Sequence, residues 1–498
     1  IDQDLLGKVF HNLIPFETRK TVAAFYTNNN AAALLAHLCV ETPEDLVMDP
    51  ACGSGTLLVA AYRRKKQLWE EAGKEFGVAE HRQLLENDLT GFDVMPFAAH
   101  LAVIHLSIQA PLYETKKVRM AVWDSTELKP GQTIPALSKE LREIYKHMAL
   151  DVFLERERPL GESELYVAKG VATLDAIGAG EEIPLSRVHV VIMNPPFTRQ
   201  ERIPAKYKEA LDKRFEGYAD YAHGQFGLHG YFMFLADSFL ETGGRLALVQ
   251  PATILRLRST VGMREFLAER YDLEYIITAW QKLAFSESAW IREILLVARK
   301  RPKSRQGPIR PCTIVTLKRM PAVLDEADEC GVAIKEARQS RIQENEWGRY
   351  QYVTQDELAT KTDNWFDYIS LYDRRIKEIW GAVVEKYRDR LCTVEEFLKS
   401  SGAEVIRGIE TKATEQLRVQ DMYILRDESH AIRPSEAWIL KAEKARAIEG
   451  VNRFDKHTIT VPRSAVRLAI RSQSGIDTID LSSHFDYVVV DTFKGIEE

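Results

Sequence analysis

The stretch DPACGSGTLL (residues 49–58) decides the fold, because it joins a short apolar run to a longer amphipathic segment through a glycine-rich turn. Gly53 and Gly55 let the backbone turn sharply and approach a ligand closely. A dinucleotide fingerprint would have a third glycine where Leu58 stands, and the Gly-Lys-Ser/Thr of a phosphate-binding loop is absent. Asp49 instead places a carboxylate just before the turn. The loop therefore favours a cationic, phosphate-free ligand, with a turn needed only for packing as the alternative.

Outward from this loop, short apolar runs that end near a polar residue alternate with longer amphipathic segments. The runs are LVMD (46–49), LTGFD (89–93), VRMAVWD (118–124), VHVVIMN (188–194) and GRLALVQP (244–251). This alternation predicts an α/β fold with a Rossmann-like, doubly wound and mostly parallel sheet. Ligands of such sheets bind at the carboxyl ends of the strands, where these polar residues lie.

Two further acids, Asp93 and Asp124, follow the next two predicted strands. A carboxylate at the first position can accept hydrogen bonds from both ribose hydroxyls of a nucleoside, and the next can accept from an adenine amino group. Together with Asp49 they predict a site for S-adenosyl-L-methionine (AdoMet), which combines a nucleoside with two cationic groups. Helix caps or turn residues are the alternative for isolated acids.

The most specific motif is Asn194-Pro195-Pro196-Phe197, directly after the apolar run VHVVIM. The two prolines fix φ and remove two backbone donors, so the carbonyl groups around them are held stiffly and can accept hydrogen bonds. The Asn194 side-chain oxygen and the Pro195 carbonyl can accept from the exocyclic amine of a base, while Phe197 stacks on the ring. Two such acceptors stabilise the charge that develops on nitrogen during attack on a methyl group. A proline-stiffened turn is the alternative.

The composition limits the other function classes. The formal net charge is −6, so any nucleic acid must bind a local basic groove rather than the whole surface. Five cysteines occur singly, which fits neither a disulfide framework nor a zinc site. No apolar run approaches the ~20 residues that span a bilayer. These features predict a cytoplasmic protein with no membrane partner and no metal.

Six elements recur in the order typical of the amino-methyltransferases of restriction-modification systems. They are Phe25-Tyr26-Thr27, DPACGSG (49–55), GFD (91–93), WDSTEL (123–128), NPPF (194–197) and GGRLALVQP (243–251). Residues 1 to 300 thus resemble N6-adenine DNA methyltransferases. The lead-in DLLGKVFHNLIP (4–15) resembles that of type I modification subunits and of fused type IIG or phage-defence enzymes. Asn28 stands where the family usually has proline.

The resemblance implies a role for each matching residue. AdoMet would be bound by Phe25, Tyr26, Thr27, Asp49, Ala51, Gly53, Gly55, Asp93 and Asp124. The target adenine would be bound by Asn194, Pro195, Pro196 and Phe197 after extrusion from the duplex, since a paired base cannot reach such a pocket. Phe285 is a weaker candidate for a second aromatic beside the extruded base, with a place in the hydrophobic core as the alternative.

The domain organisation follows from the same motifs. We predict a helical lead-in over residues 1–24 and an AdoMet-dependent methyltransferase domain over 25–311, with an insertion at 129–187. A mainly helical connector is predicted over 312–400. From 401 to 498 the chain resembles the start of a target-recognition domain, on the basis of AEVIRGIETKATEQ (403–416), and this domain is expected to be incomplete at Glu498. Because the first residue is Ile1, native sequence is expected upstream.

The predicted function is site-specific methylation of the N6 amine of adenine in double-stranded DNA, within a restriction-modification or phage-defence system. A specificity or nuclease subunit, or a fused nuclease domain, is the expected partner. Three alternatives remain at this stage: methylation of cytosine N4, methylation of RNA or protein glutamine, and a DNA-recognition subunit that binds AdoMet without turnover. Asn194 favours adenine over cytosine, since cytosine-specific motifs usually begin with serine.

Overall fold

The structure is a computed structural model that describes most of the first 391 residues and several strands beyond them. The described residues are 27–115, 117–134, 170–172, 183–198, 203–222, 226–279, 285–286, 292–302, 310–369, 374–391, 396, 424–425, 447–451, 458–462, 466–469 and 487–490. The chain divides into two compact units, residues 1–381 and residues 382–498.

Twelve described strands belong to the first unit. They are β1 (Val47–Asp49), β2 (Leu89–Asp93), β3 (Arg119–Val122), β4 (Thr133–Ile134), β5 (Gly170–Ala172), β6 (Ile183–Pro184), β7 (Val188–Met193), β8 (Leu240–Pro251), β9 (Tyr271–Ala279), β10 (Glu293–Lys300), β11 (Cys312–Leu317) and β12 (Gly348–Val353). Ten of them form one sheet in the order β12-β11-β9-β10-β8-β7-β1-β2-β3-β5. Strands β4 and β6 pair separately as a short antiparallel ladder.

Helices cover both faces of this sheet. The helices among the described residues are α1 (Asn29–Cys39), α2 (Thr56–Glu71), α3 (Val78–Gln83), α4 (Pro96–Ser107), α5 (Ala205–Arg214), α6 (Leu228–Phe239), α7 (Val261–Arg270), α8 (Leu324–Ser340), α9 (Gln355–Thr360) and α10 (Arg374–Lys386). One hydrophobic cluster joins the sheet to α5, α6, α7 and α9. The other joins it to α1, α2, α4 and α8. A sheet buried on both faces explains why its central strands are continuous apolar runs.

The strand order reverses beside β1, and this reversal positions the site. The chain runs outward from β1 through β2 to β3, and then returns to place β7 on the other side of β1. All four strands are parallel. The carboxyl ends of β1 and β7 therefore flank a topological switch point, where open α/β sheets bind their ligands. Asp49 ends β1 and Asn194 follows β7, so two of the motifs lie on neighbouring strands.

The predicted doubly wound sheet is confirmed, but it is wider than predicted. The boundary proposed at residue 311 is wrong as a limit of the sheet, because β11 pairs parallel to β9 and β12 pairs antiparallel to β11. The sequence CTIVTL of β11 is apolar and β-branched and is buried along its whole length. It covers the edge of β9, which would otherwise expose unpaired backbone groups. The segment 312–400 is thus not simply a helical connector.

The predicted insertion and the second unit are described only in part. Within 129–187, β5 extends the sheet beyond β3, and β4 pairs with β6. In residues 382–498 the strands β13 (Ile424–Leu425), β14 (Ala447–Val451), β15 (Thr458–Pro462), β16 (Val466–Ala469) and β17 (Tyr487–Val490) form one three-stranded sheet and one pair. The lead-in 1–24 and the recognition-like segment 403–416 lie outside the described residues. None of the helices in the described part is long and apolar enough to cross a membrane.

A pair of glycines tests how tightly the glycine turn packs on its neighbours. Gly55 and Gly131 have almost the same positive φ, +86° and +88°. A Cβ at Gly55 would lie 2.9 Å from the Ala102 Cβ, whereas one at Gly131 would meet nothing within 4 Å. Gly131→Ala should cost only the left-handed strain, roughly 1 kcal/mol. Gly55→Ala should cost about 1–3 kcal/mol more, because α2 and α4 must separate. Thermal unfolding measures both, and equal losses would contradict this packing.

Candidate active site

The glycine turn after β1 is fastened to the end of β2. The Cys52 amide donates to the Phe92 carbonyl at 2.9 Å, and the Gly53 amide donates to the Asp93 carboxylate at 3.0 Å. The other Asp93 oxygen accepts from the Met95 amide at 2.8 Å. Burial raises the pKa of Asp93 to about 6. Asp93 thus holds the turn in place, and its remaining lone pairs can still accept from a ligand hydroxyl.

Asp49 lies below the turn with half of its carboxylate unpaired. Its Oδ1 accepts from the Ala51 amide at 3.0 Å. Its Oδ2 is buried and has no hydrogen-bond partner among the described residues. Burial, and then the charge of Asp93, raise the pKa of Asp49 well above its ordinary value. A buried carboxylate without a partner is costly, so this position fits a ligand that brings a cationic group, as AdoMet does.

Asp124, the third predicted acid, is surrounded by donors of the chain itself. Its Oδ1 accepts from the Thr126 amide and hydroxyl, at 3.1 and 2.7 Å. The Tyr207 hydroxyl lies 3.1 Å from both carboxylate oxygens, and Arg214 lies 3.4 Å from Oδ2. Arg214 also pairs with Glu127 at 3.0 Å. Asp124 therefore connects the end of β3 to α5, a contact that the sequence analysis did not predict.

The NPPF segment begins where β7 ends. Pro195 is buried, whereas Asn194, Pro196 and Phe197 are half-buried. The Phe197 ring meets the His229 ring of α6 edge to face, with centroids 6.1 Å apart. Burial lowers the pKa of His229 to about 4, so its ring is neutral near pH 7. The segment is thus held stiffly at its proline, and Phe197 keeps part of its surface accessible.

The Asn194 carboxamide is held by two hydroxyl groups that come from distant parts of the chain. Its Nδ2 donates to Thr27 Oγ1 and to Ser286 Oγ, both at 3.1 Å. Thr27 and Ser286 also form an isolated antiparallel bridge. Ser286 in turn donates from its hydroxyl to Glu293 Oε1 at 2.8 Å and from its amide to Oε2 at 2.7 Å. Burial raises the pKa of Glu293 to about 7.

Sequence reasoning missed Ser286 and Glu293. The available signal was an acidic residue at the start of the apolar strand EILLVARK, where burial of a charge needs an explanation.

Phe25 and Tyr26 lie outside the described residues. Phe285 is completely buried in the hydrophobic cluster and its carbonyl accepts from the Asn28 amide at 2.8 Å, as a core residue would. Asn28 caps α1 with its side chain, so the position that lacks the usual proline starts a helix.

The strand order and the strand directions of the sheet are those of a class I AdoMet-dependent methyltransferase fold, as the sequence predicted. The strands β3-β2-β1-β7-β8-β10-β9 are parallel except for β10. Residues 1–133 match the family model of the N-6 DNA methylases, and residues 87–285 match that of the Eco57I restriction-modification methylases. The two matches overlap and together extend over residues 1–285. Through these residues the chain is similar to the DNA methylases of restriction-modification systems, and the predicted resemblance is confirmed.

Several solved structures are similar to this chain at low identity. A modification subunit assigned to a type I restriction enzyme of Vibrio vulnificus YJ016 is 17% identical over 70% of this chain and 59% of that chain, with a TM-score of 0.41. The type IIG restriction endonuclease BpuSI is 15% identical over 94% and 43%, with a TM-score of 0.44. The M protein of the type I enzyme EcoKI is 14% identical over 77% and 74%, with a TM-score of 0.41. A comparison with curated proteins found no match.

Replacing Asp49 by asparagine separates the stability of the site from its affinity for a cationic ligand. Asp49→Asn should raise the melting temperature of the ligand-free protein, because a neutral group costs less to bury than a charged one. Because the pKa of Asp49 is raised in the folded protein, the wild type loses stability as the pH rises above the pKa of an unfolded aspartate. The gain in melting temperature should therefore be larger at pH 8 than at pH 5. AdoMet affinity should fall at least about tenfold, as a lost charge-assisted contact implies.

Asp88 provides the matched control, since it is also buried but is paired. Lys65 Nζ lies 2.5 Å from Asp88 Oδ2, and both side chains are almost fully buried. Asp88→Asn should therefore lower the melting temperature, by the equivalent of about 3 kcal/mol. Melting curves and calorimetric titration with AdoMet measure both variants. A lower melting temperature in Asp49→Asn, or unchanged AdoMet affinity, would contradict the assignment of Asp49.

Proposed function

We propose that this chain transfers a methyl group from AdoMet to the N6 amine of an adenine extruded from double-stranded DNA. The observation that carries the proposal is the orientation of the Asn194 carboxamide at the switch point. Both Nδ2 hydrogens are donated to hydroxyl groups of the chain. In a planar carboxamide the oxygen lies on the side away from these partners, and it is the atom that an amine substrate needs as an acceptor.

The cofactor half of the proposal rests on the neighbouring strand. Asp49 offers a buried carboxylate oxygen without a partner, at a position that suits the α-ammonium of AdoMet. Asp93 can accept from the ribose hydroxyls while it holds the glycine turn. Adjacent strands lie about 4.8 Å apart, so a ligand over the turn after β1 lies next to the NPPF segment after β7. When bound, AdoMet supplies a methyl group on a sulfonium.

The substrate half rests on NPPF. The Asn194 oxygen and the Pro195 carbonyl can each accept one hydrogen of the amine, which draws its lone pair away from the ring and toward the methyl group. These acceptors also stabilise the positive charge that the nitrogen gains as the new N–C bond forms and the S–C bond breaks. The partly accessible ring of Phe197 can stack on the base. His229 at the edge of that ring is neutral and adds no charge to the pocket.

Double-stranded DNA as the substrate and a further subunit as the partner belong to the same proposal. The two family matches support methylation of DNA in a restriction-modification system. A separate specificity or nuclease subunit, or a fused nuclease domain, would complete such a system. The C-terminal residues 401–498 are the part of this chain that we propose begins target recognition.

Asn194→Ala tests the proposal. The variant should lose at least about a hundredfold in kcat for transfer of labelled methyl groups from AdoMet to DNA, because an acceptor used in the transition state is removed. Its AdoMet affinity should stay within about twofold of wild type, since Asn194 contacts the substrate amine and not the cofactor. Asn87→Ala is the matched control, because Asn87 is exposed and bonds only to Gln83 in the described residues.

Three results would contradict the proposal. Retained methyl transfer in Asn194→Ala would exclude the role of the carboxamide. Transfer of label to RNA or protein but not to DNA would favour the other substrates of such a motif. AdoMet binding without transfer to any DNA, even with a partner subunit present, would leave a recognition subunit that does not catalyse.

A further inference from the structure

We propose that Glu293 is a positioning residue that acts through Ser286 to keep the Asn194 carboxamide oxygen turned toward the substrate amine. This inference rests on the proposed function and adds a residue to it that no sequence motif indicated. Glu293 does not touch the substrate amine in this scheme. It lies at the start of β10, and Ser286 lies between it and Asn194.

The orientation of the Asn194 carboxamide depends on which atom can donate in each hydrogen bond. Asn194 can present either its amide nitrogen or its oxygen to Thr27 and Ser286, and the two orientations have nearly the same shape. Thr27 cannot decide between them, because a hydroxyl both donates and accepts. Ser286 has a single hydroxyl hydrogen, and that hydrogen is donated to Glu293. Ser286 can therefore only accept from Asn194, which forces the amide nitrogen toward Ser286 and the oxygen away from it.

The environment of Glu293 supports a functional role for the residue. Its side chain is 1% exposed, and within the described part of the chain it has no basic partner. Its two oxygens accept from the hydroxyl and the amide of Ser286, and the backbone of Phe285 gives the carboxylate a further hydrogen bond. A buried carboxylate without a counter-ion is costly. Orientation of Ser286 gives a physical reason for a carboxylate at this position.

Glu293→Gln tests the inference because it replaces one carboxylate oxygen by an amide group with almost no change in shape. The new amide group would donate to Ser286 Oγ while its oxygen accepts from the Ser286 amide. The Ser286 hydrogen is then released toward Asn194 and attracts the carboxamide oxygen. At pH 8, where the wild-type carboxylate is ionised, kcat should fall about tenfold to a hundredfold, with the KM for DNA and the Kd for AdoMet within about twofold of wild type.

A double-mutant cycle distinguishes positioning from a general structural effect. Ser286→Ala should lower kcat to a similar extent, because Asn194 loses one acceptor. Once Ser286 has no hydroxyl, Glu293→Gln has nothing left to redirect, and the double variant should be no slower than Ser286→Ala alone. Two sites that act independently would instead give losses that multiply.

Glu274→Gln is the matched control for destabilisation. Glu274 is also a buried glutamate on a neighbouring strand, but it pairs with Arg245 at 2.7 Å and with Arg299 at 3.1 Å, toward the amino end of β9 and away from the site. The substitution should lower the melting temperature and leave kcat per folded molecule unchanged. Comparison with Glu293→Gln then separates loss of folding from loss of the chemical step.

The outcomes distinguish this inference from the proposed function. An active wild type with unchanged kcat in Glu293→Gln, multiplying losses in the cycle, or a loss of activity that follows the folded fraction would each overturn the role of Glu293 and leave the methyltransferase intact. A wild type that methylates no DNA would overturn the proposed function, and the inference with it. The predicted fall in kcat at constant KM and Kd, together with the non-additive cycle, would support it.

Discussion

The hydrogen bonds from the Asn194 amide to Thr27 and Ser286 are the contacts on which the site depends. They join three segments that are far apart in the sequence: the residues just before α1, the end of β7 and the loop before β10. The sheet brings these segments to one edge, since β1, β7 and β8 are parallel and β10 runs back between β8 and β9. A carboxamide fixed on its nitrogen side presents a rigid acceptor on the other, and rigid acceptors need no reorganisation during a reaction.

The second constraint is the free-energy cost of burying charged side chains at the same edge of the sheet. Burial raises the pKa of Asp49, Asp93 and Glu293. Carboxylates with a strongly shifted pKa are concentrated at functional sites. In this chain they have different partners: backbone amides for Asp93, a serine for Glu293, and a single amide for Asp49. The binding of a cationic ligand would therefore offset the cost of a buried carboxylate most directly at Asp49.

Particular residues show how much the sequence could predict. DPACGSG and NPPF indicated the switch point, because a polar residue at the end of an apolar run in a parallel sheet has few possible positions. Strand β11 was missed, since CTIVTL is six residues long and follows a basic, proline-containing segment that resembled a domain boundary. The contact of Asp124 with Tyr207 and Arg214 depends on how α5 packs. Neither that packing nor the hydrogen-bond direction at Ser286 follows from local sequence spacing.

A fixed amine acceptor beside a methyl-donor site should act on adenine. Mass spectrometry of nucleosides is the most direct test of this activity, on DNA incubated with the purified protein and AdoMet that carries a deuterated methyl group. We expect N6-methyl-2′-deoxyadenosine that carries the deuterated methyl group, and no labelled cytosine. Label on cytosine N4, or none in DNA while AdoMet binds, would contradict it.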